Sequence, residues 1–379
     1  MRACDVLIVG GGPAGSSCAW KLQQAGFDVV VVDKATFPRD KVCAGWITPQ
    51  VIDDLNFDAQ DYQQGRTFQP ITGFRVGLIG QEEVVEVDYP GAVSYGIRRC
   101  EFDEYLLRRS GACLRLGESI SAIRSTRTGW VVNESITASV LVGAAGHFCP
   151  VRRLMNGVGR AEPIVAAQEV EFRIDPADGD YTVRPETPEL YFCEDLAGYG
   201  WCFRKQHYLN VGFGRIDGRA LPHACAEFID FLKRSRRIPP HASWRWRGHA
   251  YALSGSSHAH LVDDGVLLIG DSAGLAYPQS GEGIRPAIES GLIAASAIVD
   301  CDGQYARDHL EVYRQRIQDR FCVGSFLGGW VSSLAPRAMI ERVASRCLKS
   351  PWFVRHVVLD RWFLHAREAS LTRWRGVAA

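Results

Sequence analysis

The chain has 379 residues, enough to bury a large core and to form two or three domains. Lys+Arg and Asp+Glu both number 43, so no global charge points to nucleic acid or to an acidic partner. Twelve cysteines lie scattered without C-x-x-C pairs, which argues against a disulfide framework or a metal site and for reduced thiols in the cytoplasm. No stretch reads as a signal peptide, and no apolar run reaches the length of a membrane span.

In chain order, Val6-Leu7-Ile8-Val9 predicts a buried strand and Gly10-Gly11-Gly12-Pro13-Ala14-Gly15 a glycine-rich turn. A helix follows to about Ala25, stopped by Gly26, and Val29 to Val32 forms a second strand ending at Asp33. G-x-G-x-x-G therefore stands after a strand and opens a helix, with an acid 18 positions beyond Gly15. That is the setting in which the spacing binds a dinucleotide. Gly10 makes the turn and Gly12 lets a pyrophosphate approach the backbone. Gly15 allows close packing of helix on strand, and Asp33 holds ribose hydroxyls. This unit alone leaves FAD and NAD both open.

Phe37 to Pro49 (FPRDKVCAGWITP) reads as a loop carrying Arg39, Lys41, Cys43 and Trp46, and Gln50 to Leu55 as a short helix. Thr72 to Val87 predicts two antiparallel strands turning at Gly80-Gln81, in a separate sheet. A helix opens at Cys100-Glu101-Phe102-Asp103 on an acidic first turn. Ile120 to Ile123, Trp130 to Val132 and Ser139 to Ala144 read as strands. From about Ala166 to Gly255 the βα rhythm is lost. Glu189–Cys193, Tyr199–Lys205 and Tyr208–Arg215 predict an antiparallel meander, with Trp201, Phe203 and Lys205 on one face. Ala224 to Leu232 is a helix.

Gly265 to Gly291 is the stretch around which the chain is organised. Val266–Ile269 is a buried strand, and Asp271 places a carboxylate at its C-terminal edge, where open α/β sheets bind ligands. A loop with Pro278, Gly281 and Gly283 follows, then a helix from Ile284 to Val299 rich in small residues. Asp271 can accept hydrogen bonds from a polyol, and the helix start offers unpaired N–H groups to negative charge. From Arg320 onward ten Lys+Arg face three Asp+Glu, with Phe326, Trp330, Trp352, Phe353, Trp362, Phe363 and Trp374 interspersed. Such a segment suits a cap over the substrate domain or a peripheral membrane or protein contact.

Taken together, GGGPAG with Asp33, KVCAGWITP, Arg99-x-x-Phe102-Asp103 and GDSAGLAYPQSGEGI followed by Glu289-Ser290-Gly291 resemble the geranylgeranyl-reductase-like flavoproteins. Tyr199-Gly200-Trp201-Cys202-Phe203 and Asn210-Val211-Gly212-Phe213-Gly214 are similar to two further strands of that family. It is a branch of the FAD-dependent superfamily that also holds aromatic hydroxylases and flavin halogenases. The resemblance implies tightly bound FAD, with Gly10, Gly12, Gly15 and Asp33 on its ADP half. It also implies Lys34 and Arg99 near the ribose and phosphates, and Asp271 on the ribityl chain or pyrophosphate. Ile120 would meet the adenine, and Gly281, Gly283 and Ile284 the isoalloxazine. It places Cys43 beside the flavin as a candidate proton donor. Three departures stand out. Gly143-Ala144-Ala145-Gly146 lacks the family's aspartate, Arg204 replaces a proline, and the paired tryptophans of halogenases are absent.

The expected architecture is α/β. Residues 1–70, 90–160 and 255–320 form a discontinuous, Rossmann-like FAD-binding domain. Residues 71–89 and 161–254 form an antiparallel-sheet substrate domain, and 321–379 a helical C-terminal cap. Trp46, Tyr199, Trp201 and Phe203 are the candidate substrate pocket, suited to an apolar or aromatic substrate. The leading expectation is reduction of C=C bonds in a prenyl-type substrate by hydride from reduced flavin N5, with NAD(P)H or another reductant as electron donor. The alternatives are a monooxygenase hydroxylating an aromatic group through a C4a-hydroperoxide, and a non-catalytic flavin-binding accessory protein. A cytoplasmic location completes the reading, with a cap over the substrate domain as the first expectation for the C-terminal region and a peripheral membrane or protein contact as the alternative.

Overall fold

Continuous runs of apolar residues, many of them β-branched, build the central layer, because a parallel strand covered on both faces has no solvent side to alternate toward. In the computed structural model, which describes residues 1–157, 164–175, 179, 181–216, 218, 220–253, 260–321, 343 and 346–373, these runs form one sheet. Its order is Val262–Asp263, Val266–Leu268, Ile136–Gly143, Arg2–Val9, Val29–Asp33 and Cys113–Leu116. The last five of these pair in parallel. Val6, Leu7, Ile8, Val29–Val32, Val140–Val142 and Leu267–Ile269 are fully buried. Each such side chain contributes about 1.5–3 kcal/mol. Ile123–Thr126 and Gly129–Val132 extend the sheet as an antiparallel flap.

Helices Pro13–Gln24 and Ile284–Asp300 pack together over this sheet. Their small residues make that possible: a side chain on Gly291 would overlap the Ala14 carbonyl. A second, seven-stranded sheet runs Arg247–Ala252, Ile164–Arg173, Tyr208–Arg215, Gly198–Lys205, Glu189–Phe192, Gly73–Leu78 and Val84–Asp88. Every pair in it is antiparallel except Glu189–Phe192 with Gly73–Leu78. The α/β architecture, with a parallel sheet interleaved with an antiparallel one, is as the sequence predicts.

Four local differences have physical causes. The strand expected at Ile120–Ile123 is Ile123–Thr126, because the Asn133 side chain takes the N–H groups of Ser121 and Ala122 that a ladder would need. The segment expected to be wholly loop contains Trp46–Ile47, which pairs with Tyr95 and Gly96 in a small third sheet with Phe68–Ile71. Cys113–Leu116 is a strand without a strong apolar signal, being only partly buried at the sheet edge. Helix Arg307–Phe321 buries just Leu310, Tyr313 and Ile317, a narrow stripe in a highly charged sequence.

Of the C-terminal region, helix Pro351–Phe353 continues into the wider π-type turns of Val354–Phe363. Val354, Val358, Leu359 and Phe363 are buried against Phe74, Leu190, Phe192 and Phe203 of the second sheet. Phe326, Trp330 and Trp374 lie outside the described residues, and Trp352 is 66% exposed. Among the described residues, no helix is long and apolar enough to cross a membrane.

Candidate active site

One cavity of about 770 Å³ lies between the two large sheets. It begins where the parallel strands end, as the geometry of open α/β sheets dictates. Gly10, which has φ +116°, turns the chain out of the first strand. Gly12 is the N-cap of helix Pro13–Gln24 and Gly283 that of Ile284–Asp300, and neither supplies a side-chain cap. Two helix N-termini with positive dipole ends therefore meet one cavity, the arrangement that attracts anionic groups. Glu282 takes the Arg285 N–H at 2.7 Å but leaves Ile284 on the cavity wall.

Asp33 accepts the Gly11 N–H at 2.8 Å on one oxygen and the Ala35 N–H at 2.9 Å on the other. It is thus held rigidly at the cavity edge, with further lone pairs for hydroxyl donors. Lys34 and Ile120 line the same end. Gly15 does not line the cavity; its Cα faces the Gly10 carbonyl so closely that a side chain would overlap it. Arg99 lines the cavity while forming a two-pronged pair with the fully buried Asp103, at 2.8 Å on both arms. Burial disfavours the guanidinium charge, but Asp103 and Cys43 outweigh it and hold the group firmly protonated.

Asp271 stands beside His249 and Lys41, two residues that the sequence did not single out as ligand-binding. Lys41 Nζ donates to His249 Nε2 at 2.7 Å, and that nitrogen is 3.7 Å from Asp271 Oδ2. Burial pushes Lys41 down to about 8, against the pull of Asp271. Burial also lowers His249. Burial would raise the Asp271 carboxyl, yet His249, Lys41 and Arg99 together hold it below its ordinary value. The period-two spacing of His249 and Tyr251 on Arg247–Ala252 was the available signal for both.

The far end of the cavity is aromatic. Trp46 stacks on Phe203 with centroids 4.8 Å apart, and Tyr199 and Trp201 complete the wall. Trp201 donates its indole N–H to Asn210 Oδ1 at 2.7 Å, and a side chain at Gly212 would overlap its ring. Phe363, supplied by the C-terminal segment, meets Trp46 and Tyr199 edge-on at 5.6 and 5.3 Å. Arg204 points to the neighbouring turn, donating to the Gln206 carbonyl. Ala145 lines the cavity where the family's aspartate would stand. Cys43 lies on the wall between the polar and aromatic ends, and Tyr251 faces Gly281.

These residues fit an FAD. A side chain at Gly12 would enter the space beside Arg39, and one at Gly283 would stand 3.3 Å from Asp271 Oδ1, so both glycines keep the cradle open. Two helix starts whose N-cap glycines bring no side chain, and two acceptor carboxylates, form the donor and acceptor set that a pyrophosphate flanked by polyols requires.

Residues 5–76 match the family model described as FAD dependent oxidoreductase. The menaquinone reductase of Mycobacterium tuberculosis is 29% identical over 348 residues, covering 84% of this chain and 81% of its own. The digeranylgeranylglycerophospholipid reductase of Methanothrix thermoacetophila is 29% identical over 340 residues, covering 83% and 82%. A solved geranylgeranyl bacteriochlorophyll reductase-like protein from Thermoplasma acidophilum superposes with a TM-score of 0.73 at 20% identity, covering 92% and 88%. With the glycine cradle, the paired helix starts and these relatives in agreement, the chain is an FAD-dependent oxidoreductase similar to the geranylgeranyl-reductase-like proteins.

Proposed function

We propose that the protein reduces C=C bonds of an apolar, prenyl-type substrate. The observation that carries this reading is a single cavity that passes from a dinucleotide cradle to a wall of Trp46, Tyr199, Trp201 and Phe203. Bound FAD supplies the hydride in such chemistry. Gly10, Gly12, Asp33, Lys34, Arg99, Ile120, Asp271, Gly281, Gly283 and Ile284 would hold it, with Gly15 keeping the first helix close. The aromatic wall excludes water and orients an apolar chain. Cys43, beside the Arg99 guanidinium, would donate the proton that a saturated product needs. The named relatives that act on geranylgeranyl compounds support the substrate class.

NAD(P)H or another reductant would serve as electron donor. Peripheral contact with a membrane would bring a lipid substrate to the cavity, and the basic C-terminal segment with exposed Trp352 supports such contact. The test is incubation of the reduced, FAD-loaded protein with geranylgeranyl diphosphate or a geranylgeranylated lipid, read by mass spectrometry. Products heavier by pairs of hydrogens are expected. Unchanged prenyl compounds alongside a hydroxylated aromatic product would overturn the proposal.

A further inference from the structure

The cavity wall at residues 43–45 is gripped by buried side chains of the second sheet. The Cys43 N–H donates to Glu169 Oε2 at 2.6 Å, and the Cys43 carbonyl accepts from Asn210 Nδ2 at 3.3 Å. Lys205 Nζ donates to the Ala44 carbonyl at 3.0 Å and to the Ile97 carbonyl at 2.9 Å. The Ile97 N–H donates to the Gly45 carbonyl at 2.8 Å. Four successive peptide groups, from the Cys43 N–H to the Gly45 carbonyl, are thus fixed from outside their own loop.

Glu169, Asn210 and Lys205 come from three neighbouring strands and are 6%, 1% and 2% exposed. Apolar residues of similar size would stabilise a sheet at least as well, since desolvating charges offsets their attraction. What the polar set supplies is position. Lys205 is neutralised by Glu171 at 2.6 Å, and Glu171 is also held by Arg98. Among the described residues Glu169 has no such contact ion pair: its charge is answered by Lys205 at longer range, by the Cys43 amide, and by Asn210 Nδ2 at 3.3 Å.

We propose that Glu169 is a positioning residue whose carboxylate form clamps the Cys43 amide, and with it the thiol, on the cavity wall, and whose protonation loosens that clamp. The groups facing it are Glu171 on its own strand, Lys205, Asn210, the Cys43 amide and Arg247 of the adjacent strand, itself paired with Asp40. Burial, with the Glu171 charge, raises the carboxyl to about 7 against Lys205, the Cys43 N–H and Asn210. The clamp therefore strengthens as pH rises through neutrality, since a charged acceptor binds an N–H more strongly than a neutral one. The proposal deepens the reading of Cys43 as proton donor and rests on it for its consequence, so the test reads the amide and not turnover.

The experiment is hydrogen exchange by mass spectrometry on the FAD-loaded full chain from about pH 5.5 to about pH 8.5, corrected for intrinsic exchange and followed in the peptide carrying Cys43. Wild type should lose protection there by about threefold to tenfold below neutrality, the range one hydrogen bond spans. Glu169→Gln, which keeps an acceptor oxygen without the charge, should give a flat profile; its FAD absorbance reports that it is folded. Should that variant fail to fold, the wild-type profile alone decides. Protection independent of pH in wild type, or the same inflection in Glu169→Gln, overturns the proposal. Failure of Cys43 as a proton donor would instead appear as unimpaired turnover in Cys43→Ala with the exchange profile unchanged.

Discussion

Gly10→Ala tests whether the first glycine turn positions the cofactor cradle. At φ +116° an alanine is strained, which costs about 1–3 kcal/mol. The added methyl would stand 2.5 Å from both C and O of Ala144 and 2.7 Å from the Ala145 N. Those are backbone atoms, so no rotamer change relieves the overlap. Restoring a 3.4 Å contact requires the two segments to part by 0.9 Å, the difference between 3.4 and 2.5. Overpacking of that kind adds about 1–3 kcal/mol. The parting strands carry the pair Val9 with Gly143, and the helix beginning at Pro13 moves with them. The variant should therefore lose roughly 2–6 kcal/mol of stability and release its FAD. Thermal unfolding and the ratio of flavin to protein absorbance measure both effects. Gly91→Ala, with nothing within 4 Å of its Cβ, should change neither. Full flavin occupancy with an unchanged melting temperature in Gly10→Ala would refute the reasoning.

Asp271→Ala should weaken FAD binding by about tenfold to a hundredfold in a fluorescence titration, since it removes a charged acceptor from the cavity. Asp54 offers a pH prediction. Burial, with the Glu289 charge, raises it to about 7, against the Leu371 N–H that it accepts at 2.6 Å. A carboxyl raised above its unfolded value contributes stability that is complete below about pH 4 and is lost as pH rises through about 7. Asp54→Asn keeps an acceptor for Leu371, so urea melts at about pH 8 should show it more stable than wild type, by about 1.4 kcal/mol for each tenfold by which folding tightens the carboxyl's hold on its proton. At about pH 4 the difference should vanish. A variant less stable than wild type at both pH values would show that the charge is not the controlling feature.

Much of the cofactor end was legible because its requirements are local. Gly10, Gly12 and Asp33 act within one strand–turn–helix unit, and their spacing alone carries the geometry. Asp271, Gly283 and Ile284 form a second such unit. Lys41, His249, Tyr251 and Glu169 were not legible in the same way. Lys41, His249 and Tyr251 come together at the cavity from distant parts of the chain, and Glu169 meets the Cys43 amide behind its wall across 126 positions. Single-sequence patterns record which face of a strand is apolar, but not what that face meets. Phe363 is the extreme case, joining Trp46 and Tyr199 only because the C-terminal segment folds back over the second sheet. The buried Arg285–Glu289–Arg320 cluster, which also binds the Glu368 and Ala369 carbonyls, is what holds that segment against helix Ile284–Asp300.

The most direct measurement is a single turnover. The FAD-loaded protein, reduced without oxygen, is mixed rapidly with a geranylgeranylated substrate, or separately with oxygenated buffer, while the flavin spectrum is followed. The account predicts that the prenyl substrate alone returns the spectrum to the oxidised form, with a saturated product in matching amount. A spectrum that stays reduced with prenyl substrate, together with a distinct transient band and a hydroxylated product when oxygen and an aromatic compound are supplied, would contradict it.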